Sequence, residues 1–345
     1  MTNKKINKNN IVRLLIDWGK DYQVFVPSRE GDVTSFKQWD ESDTEFLVWY
    51  RNSSVSPKAL FLPATEEIFR FCKDNNGYSV EPTLPDDKKR LIFAVHPCDA
   101  NALSLLDKTF KDTFEDPYYL SRRQSTVLVG MTCTEPYDSC FCTSLDSSPS
   151  DTANVDLMLT DIDDEFLVAA VTDKGKELLV MTETLADATA EDENKAVKAG
   201  EKFHKQVTRK LDTAGIDNKL LAVFEDKDFW ETQAAKCISC GVCTLLCPTC
   251  YCFDINDEQT KNCGARFRSW DSCSFSAYTR MPAENPRKGK WLRVRNRVCH
   301  KYEYYPMNFN VLACTGCGRC IRACPVNWDI IQVLENLTAV KLESK

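Results

Sequence analysis

Cys237-Ile-Ser-Cys240-Gly-Val-Cys243-Thr-Leu-Leu-Cys247-Pro248 decides how this chain is read. The spacing is CxxCxxCxxxCP, and it returns once, as Cys314-Thr-Gly-Cys317-Gly-Arg-Cys320-Ile-Arg-Ala-Cys324-Pro325. Three thiolates, each separated by two residues, can wrap one face of a cubane from a single loop and leave one iron for a ligand from elsewhere. Proline after the fourth cysteine turns the chain away and removes a backbone donor. In two-cluster ferredoxins the fourth cysteine of each run ligates the other cluster. That rule assigns Cys237, Cys240, Cys243 and Cys324 to one [4Fe-4S] cluster and Cys314, Cys317, Cys320 and Cys247 to a second. Zinc usually takes CxxC pairs separated by a longer span, so the triplets speak against it. Gly241 and Gly318 sit where a bulky side chain would crowd a cluster, and they permit positive φ.

Moving outward, 66 residues lie between Cys247 and Cys314, far more than the short connection of a compact bacterial ferredoxin. The runs Thr244 to Cys247 and Ile321 to Leu334 have helical character. Residues 228–345 are therefore expected to form an α-helical ferredoxin-type domain with two clusters. Within it, Pro286-Arg-Lys-Gly-Lys-Trp-Leu-Arg-Val-Arg-Asn-Arg297 is dense in positive charge. Two readings fit this segment: a solvated helix face, or a role in docking or in raising a nearby cluster's potential. Cys250, Cys252, Cys263, Cys273 and Cys299 are unassigned, as is Cys72, and structural roles are expected for most of them. His96, His204 and His300 show no metal spacing.

Residues 1–227 are expected to form an α/β domain, which makes the fold class α+β. Short apolar runs at Gln23 to Pro27, Leu91 to Val95 and Thr126 to Met131 have the character of buried strands. After His96-Pro97-Cys98-Asp99 the spacing of Leu103, Leu106 and Phe110 predicts a helix starting near Asp99, which can act as its N-cap. Val155 to Thr160 and Glu165 to Val171 read as a hairpin around an acidic turn, and Lys195 to Leu211 follows helical spacing. Cys98 follows one predicted strand, and Cys133, Cys140 and Cys142 follow another. Adjacent strand ends could bring these four thiols together as a third [4Fe-4S] site or a zinc site, with buried free cysteines as the plainer alternative.

Composition narrows the class. The net charge of −7 argues against nucleic acid as the main partner. No apolar run reaches the roughly 18 to 20 residues of a membrane span, and the polar start MTNKKINKNN lacks the apolar stretch of an export signal. A cytoplasmic protein with reduced thiols is expected. The 18 cysteines, 13 of them between Cys237 and Cys324, are then metal-ligand candidates rather than a disulfide framework. No GxGxxG and no phosphate loop of the form GxxxxGK followed by Ser or Thr is present.

Val95-His-Pro-Cys-Asp99, Asp116-Pro-Tyr-Tyr119, Cys133-Thr-Glu-Pro136 with Cys140-Phe-Cys142, Cys247-Pro-Thr-Cys250, Trp270-Asp-Ser-Cys273 and Cys314-Thr-Gly-Cys-Gly-Arg-Cys320 together carry a family likeness. The chain resembles the β-subunit family of cytosolic nickel–iron hydrogenases and sulfhydrogenases. One of the subunits of anaerobic sulfite reductase, and the 4Fe-4S dicluster subunits found beside heterodisulfide reductases, are similar. The resemblance implies an electron-transfer subunit of anaerobic metabolism. It would work between a flavin subunit linked to NAD(P)H, or another low-potential donor, and a catalytic partner of hydrogenase, sulfite reductase or heterodisulfide reductase type. Family members commonly have Arg-Pro-Cys-Asp where this chain has His96-Pro-Cys-Asp. The rival reading is an enzyme with its own thiol, disulfide or sulfur substrate site at a cluster, against which stands the lack of an adjacent Cys-Cys pair.

Overall fold

The computed structural model describes residues 3–43, 46–75, 77–85 and 88–338. The strands, in chain order, are β1 (Lys4–Asn7), β2 (Gln23–Glu30), β3 (Val33–Gln38), β4 (Thr65–Asp74), β5 (Gly77–Pro82), β6 (Arg90–Val95), β7 (Thr126–Met131), β8 (Leu157–Ile162), β9 (Glu165–Ala170), β10 (Ala186–Asp187), β11 (Phe253–Thr260) and β12 (Cys263–Trp270). The helices are α1 (Ile11–Gly19), α2 (Pro97–Phe110), α3 (Pro117–Gln124), α4 (Asp173–Val180), α5 (Ala190–Gln206), α6 (Ile216–Ala222), α7 (Lys227–Ala234), α8 (Val242–Leu245), α9 (Lys290–Cys299), α10 (Tyr305–Phe309), α11 (Arg319–Arg322) and α12 (Ile330–Thr338).

Two compact units result, the first from residues 1–57, 87–210 and 315–318 and the second from 58–86, 211–314 and 319–345. This differs from a single cut between 227 and 228. The stretch 58–86 goes with the cysteine-rich part because the backbone of β4 pairs with that of β12.

The first unit is built on an eight-stranded sheet of order β10-β1-β9-β8-β7-β6-β2-β3. Its centre, β2, β6, β7 and β8, is parallel, and both margins are antiparallel. Every residue of β7, and all of β6 after Arg90, is buried, as central parallel strands covered on both faces require. Helix α1 buries Ile11, Leu14, Leu15 and Trp18, and the Trp18 indole donates to Leu178 O on α4 at 3.1 Å. Gly175 lets α4 approach the sheet, since a Cβ there would lie 1.9 Å from Asp156 O. Helix α5 opens with a capping box, Thr189 and Asp192 each satisfying the other's backbone N–H.

The expected strand, cysteine turn and helix are β6 and α2, but the N-cap is His96 rather than Asp99. His96 is extended (φ −72°, ψ 150°) and Pro97 occupies the first helical turn, where its fixed φ suits the helix start. Asp99 is instead buried within that first turn.

The second unit is not purely α-helical. It carries a four-stranded antiparallel sheet, order β11-β12-β4-β5, beside α6 to α12. The insert between the two cysteine runs supplies the hairpin β11–β12, and residues far upstream supply the other two strands. Cys72 and Cys263 are register partners across β4 and β12 and form a disulfide, so these two thiols are not reduced as expected. The helical run expected over Ile321 to Leu334 is split into α11 and α12, with Pro325 in the break. Helix α9 continues through a π-helical turn, His300–Tyr304, into α10.

Candidate metal centre

In the second unit two left-handed positions, Ser239 (φ 58°) and Gly241 (φ 77°), wind the first cysteine run into a loop ahead of α8. A Cβ on Gly241 would lie 2.5 Å from the Phe275 ring, so both conformation and space require glycine there. Cys237 Sγ accepts Ser239 N–H at 3.4 Å, and Cys324 Sγ accepts Trp328 N–H at 3.1 Å. Such N–H donors stabilise a thiolate.

Two lysines tie this loop system together. Lys301 Nζ, fully enclosed, donates to Thr249 Oγ1 at 2.6 Å and to Ala313 O at 2.8 Å, and Thr249 Oγ1 itself reaches Ala313 O at 2.9 Å. The end of the first run is thereby fastened to the start of the second. Lys58 Nζ donates to Cys247 O at 3.0 Å and Cys250 O at 2.9 Å, and it lies 4.2 Å from the centre of the Trp270 ring. Neither lysine carried a signal in the sequence, because nothing in their spacing marks them as buried.

Arg297 lies within electrostatic reach of Cys243 and Cys247 in the first run, of Cys320 in the second, and of Cys250. Burial alone would lower the basicity of Arg297 and Lys301, but the surrounding thiols outweigh it and hold both above their ordinary values. Arg297 Nη1 contacts Cys250 Sγ at 3.5 Å, while its Nε and Nη2 have no hydrogen-bond partner among the described residues. No described carboxylate pairs with Arg297 or Lys301. Two buried cations without a counter-carboxylate call for negative charge nearby, which cluster thiolates and inorganic sulfides would supply. The donor set therefore fits an iron–sulfur group. The basic segment 286–297 is not a solvated face at these points: Arg293 and Arg297 are buried, and Arg293 bonds Ser274 O, Ser239 Oγ and two loop carbonyls.

Contact with Cys250 holds the Cys247 thiol well below its ordinary range, and Cys250 is correspondingly raised. Contact with Cys273 lowers Cys252 to about 6. His300 is pushed down to about 4 by burial and by Lys301 and Arg297, and its Nε2 lies 3.1 Å from the Tyr251 hydroxyl.

In the first unit Cys98 opens α2, Cys133 follows β7, and Cys140 and Cys142 lie on the next loop. Three residues outside that set connect them. Asn52 Nδ2 lies 4.0 Å from Cys98 Sγ and 3.3 Å from Cys317 O. Cys140 Sγ lies 3.7 Å from Cys317 O, and Cys133 Sγ lies 3.8 Å from Arg51 O. Burial, then mutual repulsion with Cys140, pushes the Cys133 and Cys142 thiols up to about 12. Gly316 is packed so closely that a Cβ would lie 2.4 Å from Cys142 N, and Phe141 N–H donates to Gly316 O at 2.9 Å. A bulge at the end of β6 leaves Ala94 at φ 60°, its carbonyl accepting the Tyr50 hydroxyl at 2.6 Å while the Tyr50 ring stacks on His96 at 4.2 Å. The sequence drew attention to Cys98 but not to Tyr50, Arg51 or Asn52, which lie in an irregular segment.

Among the described residues, no group of three or more His, Cys, Asp or Glu side chains is arranged to hold a metal ion. No described helix is long and apolar enough to cross a membrane.

Residues 236–328, which contain both cysteine runs, match the 4Fe-4S dicluster domain. Sulfhydrogenase 2 subunit beta of Pyrococcus furiosus is 31% identical to this chain over 320 residues, which cover 91% of this chain and 92% of that protein. No solved structure matches. Since the likeness to that subunit extends well beyond the cysteine runs and through both units, the chain belongs to the sulfhydrogenase β-subunit family.

Proposed function

We propose that this chain is an electron-transfer subunit holding two [4Fe-4S] clusters on its CxxCxxCxxxCP runs. Cys237, Cys240, Cys243 and Cys324 would hold the first, and Cys314, Cys317, Cys320 and Cys247 the second. Cys98, Cys133, Cys140 and Cys142 would hold a third. The observation that carries this reading is Arg297, a buried guanidinium set among cysteines of both runs, whose Nε and Nη2 have no hydrogen-bond partner among the described residues. Each cluster, when bound, supplies one-electron redox chemistry at a potential set by its surroundings.

The chain's own residues hold the thiolates, balance their charge and exclude water. Arg297 and Lys301 provide fixed positive charge in a dry setting, where it acts strongly. Gly316 and Phe141 lock the turn of the second run against the loop that carries Cys140 and Cys142. Cys317, a member of the second ligand set, contacts that loop through its carbonyl. Ile238 is 60% exposed and Cys240 is exposed, so the first run offers an edge where electrons could pass to a partner. The partners that fit are a catalytic redox subunit of hydrogenase, sulfite reductase or heterodisulfide reductase type and a flavin-bearing subunit linked to a nicotinamide.

Cys317→Ser in the assembled complex tests the proposal. It should abolish most transfer from the nicotinamide to the catalytic partner while sparing reactions confined to either partner. Unchanged turnover across the complex would overturn it.

A further inference from the structure

Cys252 and Cys273 belong to neither cysteine run and to no ligand set above, and they lie 21 positions apart in the sequence. The second unit joins them. Phe253 and Trp270 are the first pair of the β11–β12 hairpin, and Asp271 N–H donates to Cys252 O at 3.0 Å just outside it. The hairpin thus sets Cys252 beside the segment that carries Cys273, and their side chains are in hydrogen-bond contact. Both thiols line one cavity of about 190 Å³, together with Tyr278, Arg287, Arg297 and Lys301. No carboxylate is among its lining residues.

We propose that Cys252 and Cys273 are a redox-active dithiol that reduces a small disulfide bearing anionic groups. The pair is chemically asymmetric, as such dithiols are: Cys252, bonded by Cys273 and Tyr278, is the readily formed thiolate, and Cys273 keeps its proton. Cys252 Sγ attacks one sulfur of the disulfide R–S–S–R, the S–S bond breaks, RS⁻ leaves and a mixed disulfide forms on Cys252. Cys273 loses its proton and attacks Cys252 Sγ, which expels the second sulfur as a thiol and leaves a Cys252–Cys273 disulfide. The substrate has gained two electrons and the dithiol has lost two. Two electrons from a reduced nicotinamide, which would pass through the proposed relay on which this inference rests, and two protons restore the thiols. Arg287, the lining cation not engaged with a cysteine run, selects the charge of the R groups. An adjacent Cys-Cys pair is absent from the sequence, but a hairpin provides the same proximity.

The test uses the anaerobic, iron-loaded protein and two disulfides of matched length, dithiodiglycolate (anionic) and cystamine (cationic). Dithiodiglycolate should oxidise the protein at least about tenfold faster than cystamine, the preference expected for a cationic cavity. Mass spectrometry should find a Cys252–Cys273 disulfide in the unaltered protein and a trapped mixed disulfide on Cys252 in Cys273→Ser. Cys252→Ser should form neither, with iron and acid-labile sulfide retained throughout. The proposal is overturned if both thiols stay unmodified while iron is bound, or if they react only after iron is stripped. Protein that takes up no iron or sulfide under anaerobic loading yet forms the Cys252–Cys273 disulfide would sink the electron-transfer reading while leaving the dithiol standing.

Discussion

The two units set different charge beside their sulfur atoms. In the second, Arg297 and Lys301 are enclosed among thiols and Cys247 is held low. In the first, Cys133 and Cys142 are raised to about 12, and the Arg51 side chain that partly offsets the rise at Cys133 is 45% exposed. Burial alone makes a thiol keep its proton, and a neighbouring donor or buried cation is needed to reverse that. The second unit is therefore the electrostatically prepared site. The first relies on close backbone packing.

The largest effect should come from breaking that packing. Gly316→Ala would force a residue at φ 65° to place its Cβ 2.4 Å from Cys142 N. It should cost about 3 kcal/mol or more through strain and overpacking. Iron content and thermal unfolding would show it, and wild-type values for both would mean that packing does not hold the first site together.

Next, Arg297→Met should shift the clusters of the two runs to more negative potential by about 100 mV. At an effective dielectric near 20, a charge several ångströms away is worth ~2 kcal/mol. A potential titration followed by EPR would measure this, with Arg297→Lys retaining most of the wild-type value. An equal shift at the Cys98, Cys133, Cys140 and Cys142 site would erase the contrast between the units.

A smaller difference concerns pH. A thiol must lose its proton to hold iron. With Cys133 and Cys142 raised to about 12, iron retention at the first site should strengthen as pH rises from about 6 to 9, by up to tenfold per unit for each such thiol. Retention should depend less on pH at the ligand set that includes Cys247, which is already low, than at the sites whose thiols burial raises, Cys237 among them. Chelator challenge across that range would resolve the two, and parallel profiles would contradict the comparison.

What the sequence revealed follows the same line. The cysteine runs were legible because each triplet is contained within seven residues and needs no tertiary contact to be recognised. Cys98, Cys133, Cys140 and Cys142 were legible only as strand ends, through the apolar runs of β6 and β7. The pairing of β4 with β12 was not legible, since it joins residues about 200 positions apart and β11 is largely polar and exposed. The same pairing placed Cys72 opposite Cys263. The charge of segment 286–297 was plain, but which of its arginines turn inward depended on the packing of α9. Lys58 and Asn52 lie where no periodicity exists. Cys252 and Cys273 were visible as cysteines, but only the β11–β12 hairpin shows that they meet.

Iron and acid-labile sulfide per chain, measured on protein prepared without oxygen and paired with EPR of the reduced sample, test the central claim most directly. About twelve of each are predicted, for three [4Fe-4S] clusters with Cys98, Cys133, Cys140 and Cys142 included, whereas about eight would remove the first-unit cluster. Bound zinc without sulfide would contradict the account altogether.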